Sequence, residues 1–183
     1  MKRIESNIIG ILSQNDRFED WWQSEPISIP LVNEKLCVTF MDFEPDLDEK
    51  FIQEADEAIK SFLQLDTEYK NQITDYVYNH FLEFKSLVGL EDIPNEMNGI
   101  RESEIWNYIT PSEILITRRP YNEPDIFINM TCECAWEQEH GLQLVFKKGK
   151  TLTRVSDQDG HLTTADAYGI PDSEDKLLAN YKE

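Results

Sequence analysis

Residues 125–161 constrain the fold more than any other part of this chain. Ile126, Ile128, Met130, Cys132, Cys134 and Trp136 alternate with Phe127, Asn129, Thr131, Glu133 and Ala135. A period of two places the first set on one face of a strand and the second on the other. The polar residues 137–141 then make a turn, residues 142–146 a second strand, Lys148 and Gly149 another turn, and residues 151–155 a third strand. Residues 114–119, followed by the turn 120–124, add one strand before these. Short connections favour antiparallel neighbours, so the pattern predicts a meander of about four strands. One face of the longest strand is nearly all apolar and should meet helices. The other should be largely solvated.

The preceding half supplies the helices. Leu47, Phe51, Ile52, Ala55, Ile59, Phe62 and Leu63 recur at helical spacing, with Asp46 as N-cap and Glu49 three residues on, as in a capping box. A second helix should begin after Asp66. Its apolar stripe is Tyr69, Ile73, Tyr76, Val77, His80, Phe81, Phe84 and Val88, and Gly89 is its stop. His80 on that stripe reads as a core-edge histidine. Ahead of the helices, Ile27, Ile29 and Leu31, a turn at residues 33–35, and Leu36, Val38 and Phe40 predict a β-hairpin, with Pro30 confining the first strand to an edge or an end. Residues 1–14 are expected to form a short helix with Ile4, Ile8, Ile11 and Leu12 on one side. Residues 103–108, carrying Trp106, form one more helical turn. The expected fold class is therefore α+β: an N-terminal β-hairpin, two amphipathic helices, then a C-terminal antiparallel meander of about four strands packed on the helices. Residues 1–24 read as an appendage, 25–165 as one domain and 166–183 as a tail.

A chain of 183 residues can bury a core without disulfide or metal staples. Its 36 acidic and 17 basic residues give a net charge of -19. Such a surface repels nucleic-acid phosphates and anionic lipid and attracts basic proteins, so neither nucleic acid nor membrane is an expected partner. The excess is uneven. Asp42, Glu44, Asp46, Asp48, Glu49, Glu54, Asp56 and Glu57 lie close together against Lys50 alone. The helix dipole favours some of these carboxylates but does not account for all. Asp42, Glu44, Asp46, Asp48, Glu49, Asp56 and Glu57 are therefore the candidate partner-binding residues. Three cysteines and the lack of a signal-like or membrane-length apolar run point to a reducing cytoplasm.

Candidate chemistry centres on two loops. Glu137, Glu139 and His140 combine carboxylate with imidazole, a common acid–base pairing. Asp157, Asp159 and His161 offer oxygen and nitrogen ligands. If Gly160 is set at the glycine position of an EF-hand, Val155 falls on the first ligand position and Asp166 on the twelfth, so that motif fails. A weaker oxygen site from Asp157, Asp159 and Asp166 stands beside the plainer reading of a turn. Cys132 and Cys134, one residue apart on a strand, do not make a zinc knuckle and read as small core groups. With only 7 glycines there is neither a phosphate-cradling loop nor a strained serine elbow. No cofactor is implied. In a meander the 137–140 turn and the loop after residue 155 should lie at one sheet end. Trp21 and Trp22 read equally as binding surface or core.

Residues 105–114, the Trp136-Glu137-Gln138-Glu139-His140-Gly141-Leu142 block and the Asp157-Gln158-Asp159-Gly160-His161 block resemble the bacterial DUF6985 family, which is similar in pattern to the DUF2004 group. The resemblance covers roughly residues 25–165. It implies no transferable activity and no catalytic residue. By analogy with small acidic domains encoded near polymorphic toxins, it suggests a toxin-neutralising or regulatory protein. The leading expectation is thus a non-catalytic protein-binding domain with a basic partner. The alternative is a metal-dependent enzyme or ligand-binding protein built on the two loops.

Overall fold

The computed structural model describes residues 2–89, 91 and 93–181. Its strands are β1 (Arg3–Ser6), β2 (Gly10–Gln14), β3 (Trp22–Ser24), β4 (Ile27–Ile29), β5 (Glu34–Leu36), β6 (Val38–Phe40), β7 (Ile109–Arg118), β8 (Ile126–Cys134), β9 (Leu142–Lys147) and β10 (Thr151–Ser156). The α-helices are α1 (Phe51–Phe62), α2 (Thr67–Gln72), α3 (Thr74–Val88) and α4 (Thr164–Tyr168). Eight strands form one sheet in the order β1-β2-β3-β6-β7-β8-β9-β10, while β4 and β5 pair separately. Neighbours are antiparallel except β6 and β7, which run parallel. A parallel pair needs a long crossover, and α1, α2 and α3 lie within it.

This corrects the expected short meander. Strands β7 to β10 are that meander, but they form half of a larger sheet. Residues 1–14 are a hairpin, not a helix: Ile4 pairs Leu12, and the Asp56 carboxylate accepts from the Ser6 hydroxyl and the Asn7 amide. The predicted second strand of the Pro26 hairpin splits at Cys37. Glu34–Leu36 stays in the small hairpin, and Val38–Phe40 joins β3 and β7. The first helix starts at Phe51, later than Asp46 and Glu49 suggest, and Lys50 at its N-cap offers no side-chain bond. Asp66 does cap the next helix, accepting from the Glu68 and Tyr69 amides.

The first face of β8 packs as its alternation demands. Ile126, Ile128, Met130 and Cys132 are fully buried with Phe62, Phe81 and Phe146 in the main core. The second face is not solvated as expected. Phe127 and Val145 are buried with Leu162 in a smaller cluster, because the chain beyond β10 returns across β8, β9 and β10. Arg119, 1% exposed, pins that return. It donates to Asp166 at 2.6 Å, to Asp172 at 2.7 Å and to the Thr163 hydroxyl at 3.3 Å. Asp175, also buried, accepts from the Ala165, Leu177 and Leu178 amides.

Candidate functional site

The loops 137–141 and 157–161 do lie side by side. The Gln158 amide donates to the His140 carbonyl at 3.3 Å, and its side chain donates to the Cys132 carbonyl at 3.0 Å. Glu137, Glu139, His140 and Gln158 border one cavity of about 700 Å³. His161 borders a different one, on the second face of the sheet.

Within these loops most polar groups already have partners. One oxygen of Glu137 accepts from the Glu139 and His140 amides at 2.8 and 3.1 Å, which closes the turn. Burial raises the Glu137 pKa, but those amides and the His140 ring outweigh it, leaving it below the usual carboxylate range. Asp159 accepts from Gln143, from the His161 amide and from Arg154. Asp157 bonds His80, and Asp166 bonds Arg119. The three carboxylates of the weak oxygen site thus serve three separate partners. Among the described residues no group of three His, Cys, Asp or Glu is placed to hold a metal. Burial pushes the Cys134 thiol up to about 12 and the fully buried Cys132 thiol higher still.

The pairing of His80 with Asp157 had no signal in the sequence beyond a lone polar residue on the apolar stripe. His80 sits between Asp157 and the Trp136 ring, 6.2 Å away between centroids. Burial holds its pKa below 6.5, with Asp157 pulling the other way.

The acidic segment divides in two. Asp48 and Glu54 both bond Arg118 at 2.6 Å, and Asp56 is buried against the β1–β2 turn. Asp42, Glu44, Asp46, Glu49 and Glu57 remain exposed. Beside them Leu47 is 77% exposed. Trp22 is buried and donates to the Phe43 carbonyl, while Trp21 is half-buried and packs on Phe18.

The cavity that His161 borders, about 710 Å³, opens between β7, β8 and residues 160–170. Its wall includes Leu115, Thr117, Asn129, Leu162 and Ile170, with Asp42 and Tyr121 also bordering it.

Fold and surface together define a mixed α+β domain whose eight-stranded sheet carries α1 and α3 on one face and the pinned C-terminal segment, with α4, on the other. Among the described residues no helix is long and apolar enough to cross a membrane. The chain belongs to the family described as domain of unknown function DUF6985, whose pattern matches residues 8–162. The match runs from the β1–β2 turn to Leu162, so the segment pinned by Arg119 lies beyond it. No curated protein and no solved structure matches the chain significantly.

Proposed function

We propose that this protein acts by binding a basic protein, in a neutralising or regulatory role, through the exposed carboxylates of residues 42–57. The observation that carries the reading is the division of the acidic segment. Asp42, Glu44, Asp46 and Glu49 engage no cation or donor among the described residues, and they surround an exposed Leu47. Free like charges repel one another and add nothing to the core, whereas they steer and select a partner of opposite sign. The loop carboxylates, by contrast, already hold turns and neighbouring strands in place.

Affinity capture from a lysate of the source organism tests this, using the wild type and a D42N/E44Q/D46N/E49Q/E57Q variant. Exposed substitutions of this kind change stability little, so a difference reports on the surface. A basic protein retained by the wild type, released as ionic strength rises and lost by the variant is the expected result. A partner retained equally by both contradicts the reading.

A further inference from the structure

Strand β1 ends the eight-stranded sheet, and among the described residues nothing pairs with its outer edge. Proteins commonly cover or blunt such edges. The opposite edge shows this, because the Leu152 amide of β10 is given to the Tyr69 hydroxyl at 3.2 Å. On β1 one bond fixes which way the backbone faces. The Gln14 amide donates to the Lys2 carbonyl at 3.0 Å, so Lys2, Ile4 and Ser6 turn their N–H and C=O groups towards β2. Arg3 and Glu5, between them, turn theirs outward. The next outward position is closed, since the Asn7 amide is given to Asp56 at 2.9 Å. Both the Arg3 and the Glu5 side chains are exposed and have no ion-pair partner among the described residues.

We infer that β1 pairs antiparallel with β1 of a second copy of this chain, about a two-fold axis at Ile4. With Arg3 and Glu5 supplying the outward groups, two-fold pairing can set Arg3 against Arg3, Glu5 against Glu5, or Arg3 against Glu5. The first two oppose like charges, which destabilises a strand pair. The third sets each Arg3 against the partner's Glu5, with two backbone hydrogen bonds at each pair. Ile4, half-buried at the margin of the core, then meets the partner's Ile4 at the position where cross-strand side chains approach most closely. The patch is self-complementary, as a two-fold contact requires. Charge also selects this edge. At a net charge of -19 two copies repel over most of their surfaces. The residues before Asp16 carry only Lys2, Arg3 and Glu5, two cations against one anion. Ile8 and Ile11, 40% and 55% exposed, add apolar surface to the same hairpin. Self-association of this kind requires nothing of the basic partner proposed above.

Four backbone hydrogen bonds and two exposed ion pairs make a small, weak interface, so the test is sedimentation velocity of the full chain from micromolar to millimolar protein. The wild type should pass reversibly from monomer to dimer. Arg3→Glu sets Glu against Glu and Glu5→Arg sets Arg against Arg, and each should weaken the dimer roughly tenfold or more. Glu5→Arg lowers the net negative charge, so weakening there reports on the strand pair and not on bulk repulsion. Mixing the two single variants makes both cross-strand pairs complementary again. A heterodimer should therefore form at concentrations where neither variant associates alone, and the Arg3→Glu/Glu5→Arg double variant should regain the homodimer. Rescue on mixing also shows that the single variants are folded. A wild type that stays monomeric throughout, a dimer indifferent to the single reversals, or no association between the mixed variants overturns the inference.

Discussion

His80 Nε2 lies 3.1 Å from Asp157 Oδ1, tying the middle of α3 to the loop after β10 across 77 residues of sequence. The other ring nitrogen is buried and has no partner among the described residues. With Nε2–H given to the carboxylate, protonation would place a second N–H where no described residue accepts it. Burial therefore outweighs the attraction of Asp157, and of Glu83 and Glu137 beyond it, in lowering the His80 pKa.

The pH dependence follows from that sign. Between the lowered folded pKa and 6.5 the unfolded chain binds more protons at His80 than the folded chain does. His80 thus makes stability rise with pH through this window and fall as the pH drops below about 6.5, by at most about 1.4 kcal/mol per pH unit. Urea unfolding of the wild type and His80→Gln at several pH values checks this. The wild-type midpoint should fall more steeply on acidification than that of the variant. Parallel curves would show that His80 does not titrate differently on folding.

Arg119 holds two carboxylates from beyond the family match. In Arg119→Met both lose their cation, and the expected loss is about 3 kcal/mol, the lower end for a broken buried pair because Asp172 is partly exposed. Hydrogen exchange should accelerate across residues 163–181 before it does so in β8. Unchanged protection there would mean that other contacts hold the segment.

Gly149 has φ of +64°, and a Cβ at that position would lie 2.0 Å from the Ala58 carbonyl oxygen of α1. Gly160 has φ of +78° with nothing near its missing Cβ. Both Ala substitutions carry the left-handed backbone cost of about 1–2 kcal/mol. Gly149→Ala must in addition move a helix backbone. Thermal unfolding should show Gly149→Ala as clearly the worse of the two. Equal losses would mean that α1 yields freely.

Asp56 and Glu44 separate structural from free acid. Asp56→Ala removes the acceptor that closes the β1–β2 turn onto α1 and should cost about 1–3 kcal/mol. Glu44→Ala, at an exposed position with ordinary backbone, should stay within about 0.5 kcal/mol. Similar losses at both positions would erase the distinction on which the proposed face rests.

The sequence made one face of the core readable because the relevant signals are local. Alternation along β8 identified Ile126, Ile128, Met130 and Cys132 as buried, Asp66 marked a helix start, and Gly89 marked a stop. What it left unread depends on distant partners. Phe127 and Asn129 are buried by residues 160–170, and no local pattern reports that return. The parallel pairing of Val38 with Ile114 is equally remote. At the N-terminus, Ile4, Ile8, Ile11 and Leu12 suit a helix as well as a hairpin, and pairing with β3 decides between them. The two polar loops were placed correctly at one sheet end. The engagement of Asp157 with His80, and of Asp48 and Asp56 with Arg118 and the β1–β2 turn, required the tertiary structure.

The most direct measurement of the account is a hydrogen-exchange footprint of the captured basic partner on the full chain. Protection is expected at residues 42–49 and around Glu57. Protection confined to residues 137–141, or to the β1–β2 hairpin, with residues 42–57 exchanging as in the free protein, would contradict it.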